Sequence, residues 1–293
     1  MRVTDNARLL GVLRNNAVAT NRLTTASRRA SAGAKVTKPS DDPVAYTTSV
    51  RRGSTIANMA SRSRTARAAA DELTVAEGAL DSATELLAQA KSLAVQGANE
   101  TLSPTDRNAL ALQVAGIRDQ LLDLANTRGS GGYAFAGSRT DTAPFDPAGT
   151  FTGNDGVMRV PGSDGVSPRM NVSGAKAFTV AGGSDVFAEL AALNTALSTN
   201  DLVGIRNAIG TVQKGYEQVV AVQVDAGLSI ERLHSAADVI DTASLAVGQA
   251  RTRDVGADDL AGLATELSAA GNSYSQSLTV TRLLLSLPSL AKA

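Results

Sequence analysis

Residues 30–46 read ASAGAKVTKPSDDPVAY, and the rest of the chain is organised around them. Pro39 holds Lys38 out of the α region, and Gly33 loosens the backbone. Ser40-Asp41-Asp42-Pro43 has the form of a cap followed by proline in the first helical turn. The stretch predicts a hinge, set by Gly33, Pro39, Asp41, Asp42 and Pro43, at which one helix ends and another begins.

On the N-terminal side, Val3, Asn6, Leu10, Leu13, Ala17, Thr20, Thr24 and Ser27 recur at alternating steps of three and four, a heptad whose seam weakens along its length. Leu9 and Leu23 lie beside that seam. With so few large apolar residues such a helix is marginal in water and needs partners. On the C-terminal side a second pattern runs Ile56, Met59, Ser63, Ala66, Ala70, Leu73, slips by one, and continues Ala76, Leu80, Ala83, Leu87, Ala90, Ala94. No proline interrupts it between Pro43 and Asn99, so one long helix is expected, with two helices broken near Gly53-Ser54 as the alternative.

Ser103-Pro104-Thr105-Asp106 reads as a capped restart, Leu110, Val114, Ile117, Leu121 and Leu124 as the next helical face, and Gly129 to Gly132 as a glycine stop. From Tyr133 to about Ser184 the composition turns to Gly, Pro, Thr, Ser, Asp and Val. Val157–Val160 and Phe178–Ala181 are candidate strands there, and Gly153–Gly156 and Gly162–Gly165 candidate hairpin turns. Helical spacing then resumes through Leu202, Ile205, Ile209, Val212, Tyr216, Val219, Gln223, Ala226, Ile230, Leu233, Ala237 and Ile240. A last marginal helix carries Leu260, Ala264, Leu267, Gly271, Tyr274, Leu278, Thr281 and Leu285.

The 293 residues are 43% apolar but only 3% aromatic, without Trp or Cys, so the core is built of Ala, Leu and Val in thin helix-on-helix seams. Thiolate metal sites, disulfides and thiol catalysis are excluded. The first 67 residues hold 13 Lys/Arg against Asp5, Asp41 and Asp42, a basic head before an acidic body. Without interleaved aromatics that head reads as a solvated face or as pairing with acidic surfaces of the same protein. His234 stands alone, Asp41-Asp42 and Asp258-Asp259 read as caps, and no phosphate loop, nucleophile elbow or zinc signature occurs, so neither catalysis, a cofactor nor a metal is expected. No run of about 18 apolar residues suggests a membrane span, and MRVTDNARLL offers no apolar run of the Sec type.

These segments together resemble the flagellin superfamily. Ser31-Ala32-Gly33, Val36 and Pro39-Ser40-Asp41-Asp42-Pro43-Val44 match its S-x-G…P-S-D-D-P signature, and Gln96–Ser103 and Leu124–Thr127 are similar to family segments. Gly132–Gly137 with Pro144-Phe145 favours the hook–filament junction members over filament flagellins, while Tyr274–Leu278 and Leu285–Leu287 fit less tightly. Ala30 stands where the family usually has Leu, and Pro288–Ala293 is not the usual apolar tail.

The resemblance implies a secreted structural subunit of the bacterial flagellum, self-associating in a ring at the hook–filament junction. Its partners would be a neighbouring hook-associated protein, flagellin, an export chaperone and the type III exporter, with no nucleic-acid or membrane partner. The expected fold is mainly α: a long antiparallel helical rod, flagellin-like, with coiled-coil termini and a small β-rich insertion. Its parts would be 1–40 plus 255–293 as a terminal assembly coiled coil, 41–132 plus 185–254 as a central helical bundle, and 133–184 as an outward insertion. Leu10, Leu13, Leu260, Leu267, Tyr274, Leu278 and Leu285 are the expected assembly residues. A short filament flagellin is the near rival, and a basic-headed nucleic-acid-binding coiled coil the rival from another class.

Overall fold

The computed structural model describes residues 2–160, 167–179 and 183–286. Among them the chain is mainly helical, in the order α1 (Arg2–Ala32), α2 (Pro43–Gly97), α3 (Pro104–Ala125), β1 (Arg128–Gly129), β2 (Gly132–Tyr133), α4 (Gly174–Phe178), α5 (Val186–Ser198), α6 (Leu202–Asp254) and α7 (Leu260–Leu285). Helix α2 passes through Gly53-Ser54 without a break. Two compact units form: Met1–Met59 with Thr242–Ala293, and Ala60–Asp241. Helices α2 and α6 contribute residues to both.

In the second unit the buried face of α2 is Ala66, Ala70, Leu73, Ala76, Leu80, Ala83, Leu87, Ala90 and Ala94, the spacing read from sequence with its slip in place. Opposed to it are Val114, Ile117 and Leu121 of α3, Leu190, Leu193 and Leu197 of α5, and Ile205, Val212, Val219, Ala226 and Leu233 of α6. Alanine holds six of these nine α2 positions, and with the leucines and valines opposite an aromatic-poor chain still builds one continuous core. The α2–α3 turn is closed by Ser103, whose hydroxyl accepts from the Asp106 N–H at 3.1 Å, with Pro104 in the first turn. Arg107, 3% exposed, donates to the Gly97 carbonyl at 2.9 Å, to the Asn99 carbonyl at 2.6 Å and to the Asn200 side-chain oxygen. One guanidinium thus fastens the α2–α3 turn to the α5–α6 turn, where Asn200 adopts a left-handed φ of 59°.

The segment from 133 to 184 is less β-structured than its composition predicts. Its described residues hold isolated bridges, Ala136 with Ser173, Phe145 with Phe151, Arg159 with Arg169 and, into the next segment, Thr179 with Asp185. The expected strand at Val157–Val160 is reduced to the Arg159 bridge. Phe178 closes α4 instead of opening a strand, and residues 180 and 181 of that expected strand lie outside the described residues, as does Gly162–Gly165. Aromatic packing and side-chain hydrogen bonds hold the segment in place of ladders. All five phenylalanines of the chain meet here, with the ring centroids of 135–178, 145–151, 145–178, 145–187 and 178–187 lying 5.2–5.7 Å apart. The Asn154 side-chain oxygen accepts from the N–H groups of Ser138 (2.8 Å) and Gly156 (3.1 Å). The β1–β2 turn is tethered to α2 by Glu72, which accepts from the N–H and hydroxyl of Ser130 and from the Gly131 N–H.

Candidate functional site: the α1–α2 junction and the α1–α7 pair

The two aspartates of the opening stretch do different work. Asp42 starts α2, its Oδ1 accepting from the N–H groups of Val44 (2.9 Å) and Ala45 (3.0 Å), while Pro43 fills the first position where a missing N–H costs nothing. Asp41 is not a helix cap. Its Oδ2 accepts from the Thr37 N–H (3.0 Å), the Thr37 hydroxyl (2.9 Å) and the Lys38 N–H (3.2 Å), and its Oδ1 faces Arg28 of α1 at 3.4 Å. With 6% of its side chain exposed, this carboxylate is enclosed by donors, and the Thr37 N–H above all holds its pKa below the ordinary aspartate value. Pro39 sits in the turn that these bonds close.

The same linker is tied to the α6–α7 turn. Gly33 and Gly256 both adopt φ of +63°, which sends the chain sharply out of α1 and α6. The N–H groups of Lys35 and Val36 then both donate to the Val255 carbonyl, at 2.9 and 3.1 Å. The Lys35 ammonium meets Asp259 at 2.7 Å, and Asp259 also caps α7 through the Gly262 N–H at 2.8 Å. That shared hydrogen bond raises the Lys35 pKa and lowers that of Asp259. Arg29 completes the set with Glu266 at 2.8 Å.

Beyond the junction α1 packs on α7. The stripe of α1 turned toward its neighbours is Leu9, Val12, Asn16, Ala19, Leu23 and Ala26, all buried or half-buried, with Ala19 7% and Ala26 2% exposed. It is displaced by one residue from the seam drawn through Leu10 and Leu13, which face solvent at 66% and 52% exposure. On α7 Leu263 is 2% exposed, Leu267, Tyr274 and Leu278 are half-buried, Leu260 is 63% exposed, and the Leu285 side chain lies outside the described residues. Within this chain, therefore, Leu267, Tyr274 and Leu278 join the helix pair and Leu10, Leu13 and Leu260 do not. Sequence reasoning missed Leu263, which occupies the same three-four spacing ahead of Leu267 and Ala270. It also missed the Arg28–Asp41 and Lys35–Asp259 pairs, for which spacing carries no signal. A groove of about 580 Å³ runs beside the pair, lined by Val18, Arg22, Ala26, Ala270 and Ser273 among others.

No three His, Asp or Glu side chains among the described residues gather as metal ligands do, and His234 stands exposed on α6. No described helix is long and apolar enough to cross a membrane.

Residues 3–140, which include the junction and run from α1 through the β1–β2 hairpin, match the bacterial flagellin N-terminal helical region. That stretch is just under half of the chain, and over it the chain is similar to the flagellin superfamily. Within that superfamily, flagellar hook-associated protein 3 of Salmonella typhimurium is 40% identical over 119 residues, 40% of this chain and 38% of that protein. A flagellin of Clostridium tyrobutyricum is 29% identical over 127 residues, 43% of this chain and 34% of that protein. The match therefore spans less than two fifths of the length of either curated relative. Among solved structures, a putative flagellar hook-associated protein from Vibrio parahaemolyticus superposes with a TM-score of 0.66 over 74% of this chain and 100% of that one. At 22% identity it shows a shared fold.

Proposed function

We propose that this chain is a structural, non-enzymatic subunit of the bacterial flagellum that joins hook-side proteins to the flagellin filament by self-assembly. The observation that carries this reading is the 40% identity to a hook-associated protein 3, against 29% to a flagellin over a stretch of similar length. The geometry supports it. A helix pair seamed by alanine and half-buried side chains gains little from its own burial, and leaves Leu10, Leu13 and Leu260 free to be covered by neighbouring copies.

In this reading residues 1–40 with 255–293 form the assembly layer and the junction sets the direction in which α1 leaves it. Gly33, Pro39, Asp41, Asp42 and Pro43 then act as a clamp on that direction, because Asp41 binds the linker to α1 and Lys35 binds it to α7. The partners are further copies in a ring, a neighbouring hook-associated protein and flagellin, with delivery through the flagellar exporter and its chaperone. Gold-labelled antibody on purified flagella tests the proposal: label confined to the hook–filament junction, at about a ring's worth of copies, supports it. Label along the filament overturns it in favour of a short flagellin, a reading that the match to the Clostridium flagellin keeps in view.

A further inference from the structure

Among the described residues, seven glycines lie inside helices with no packing reason. A methyl group placed on Gly11, Gly78, Gly116, Gly210, Gly227, Gly248 or Gly271 meets nothing within 4 Å beyond the helix's own backbone. None of the seven has a positive φ, so the backbone does not require glycine either. Other helical glycines differ: a methyl on Gly97 collides with Leu197, and one on Gly215 comes within 3.0 Å of Glu189 and 3.2 Å of Val186. Each unexplained glycine lowers the helix-forming equilibrium about fivefold relative to alanine, because glycine loses more backbone freedom on folding.

A stripe against which another helix docks would be the ordinary explanation of small residues, but the positions do not form one. Gly210, Gly227 and Gly248 of α6 are separated by rotations of about 260° and about 300° around the helix axis, so no single approaching helix meets all three. They are instead spread along the helix, and the other four are distributed over α1, α2, α3 and α7. We propose that these glycines are distributed weak points that keep the folded chain close to its unfolding threshold, so that it is opened and refolded readily during delivery and assembly. The purpose rests on the proposed flagellar role; the weakness itself rests on the open space around each Cα.

The test combines Gly78→Ala, Gly116→Ala, Gly210→Ala and Gly227→Ala, all in the second unit, in the full chain. The folding equilibrium of that unit is expected to rise several hundredfold, which moves its thermal transition up by about 10 °C. Gly97→Ala, whose methyl would collide with the fully buried Leu197, is the control and moves it down. In flagellated cells the quadruple variant is expected to reach the medium and the flagellum at least fivefold more slowly than wild type. No rise in the transition overturns the proposal, as does a rise with unchanged delivery. Failure of the wild-type chain to leave the cell overturns the flagellar reading itself, and this inference with it.

Discussion

Replacing Leu10 and Leu13 by serine separates the packing of this chain from its assembly. Leu10 and Leu13 are 66% and 52% exposed. At about 2 kcal/mol for a leucine side chain taken fully out of water, covering the exposed fractions is worth about 1.3 and about 1.0 kcal/mol. The double variant should therefore lose a little over 2 kcal/mol per subunit on association, about 50-fold in the dissociation constant. Its own melting should scarcely change, since neither side chain lies in the α1–α7 seam. Leu263→Ala is the contrasting variant: at 2% exposure it leaves a cavity and costs about 2–5 kcal/mol of monomer stability. Sedimentation velocity across a concentration series reads association, and circular dichroism melting reads the fold. The reasoning is refuted if the Leu10/Leu13 variant melts as early as Leu263→Ala, or if it associates like wild type.

Four other outcomes follow from the packing and the charges. Phe178→Ala removes a fully buried ring that contacts Phe135, Phe145 and Phe187, and should destabilise the second unit by about 3–5 kcal/mol; Phe151→Ala, at the edge of the cluster, should cost clearly less in the same calorimetric scan. Arg107→Ala strands the carbonyls of Gly97 and Asn99 and should cost about 2–4 kcal/mol, with Arg107→Lys recovering little because one ammonium does not span three acceptors; chemical denaturation measures both. Asp41 and Asp259 have lowered pKa values, so the stability they supply is present above about pH 4 and is lost as the pH falls through their folded values. The protection factors of the α1 and α7 amides, which discount the slower intrinsic exchange in acid, should therefore fall as the pH drops below about 4. Glu189 runs the other way, since burial raises its pKa and its charge costs stability as the pH rises through that value; Glu189→Gln should raise the melting temperature at pH 7 but not at pH 3.5.

Much of the fold was legible because helices with a buried face must repeat apolar residues every three or four positions. The seams of α2, α3 and α6 in the second unit carry that repeat with large side chains at regular intervals, and the buried sets coincide with it. Caps were legible at Ser103, Asp42 and Asp259, because a short polar side chain ahead of a helix satisfies N–H groups that have no other partner. The segment after β2 was less legible. Its turns and short apolar runs suggested strands, but its order comes from five phenylalanines brought together from residues far apart in sequence. No local pattern marks Phe135, Phe145, Phe151, Phe178 and Phe187 as one cluster.

The opening stretch shows where local chemistry stops. That a helix ends before Pro39 and another begins at Pro43 follows from proline, glycine and aspartate, whatever surrounds them. That Asp41 closes the linker while Asp42 starts the helix depends on where Thr37, Lys38 and Arg28 arrive in space. Along α1 the amino-acid order determined a helix with a weak heptad, but left two adjacent stripes open, because Leu9 with Val12 and Leu10 with Leu13 satisfy the same spacing. Only the packing of α7 chose between them: the stripe that meets a partner is buried, and the other, equally periodic, stays in water.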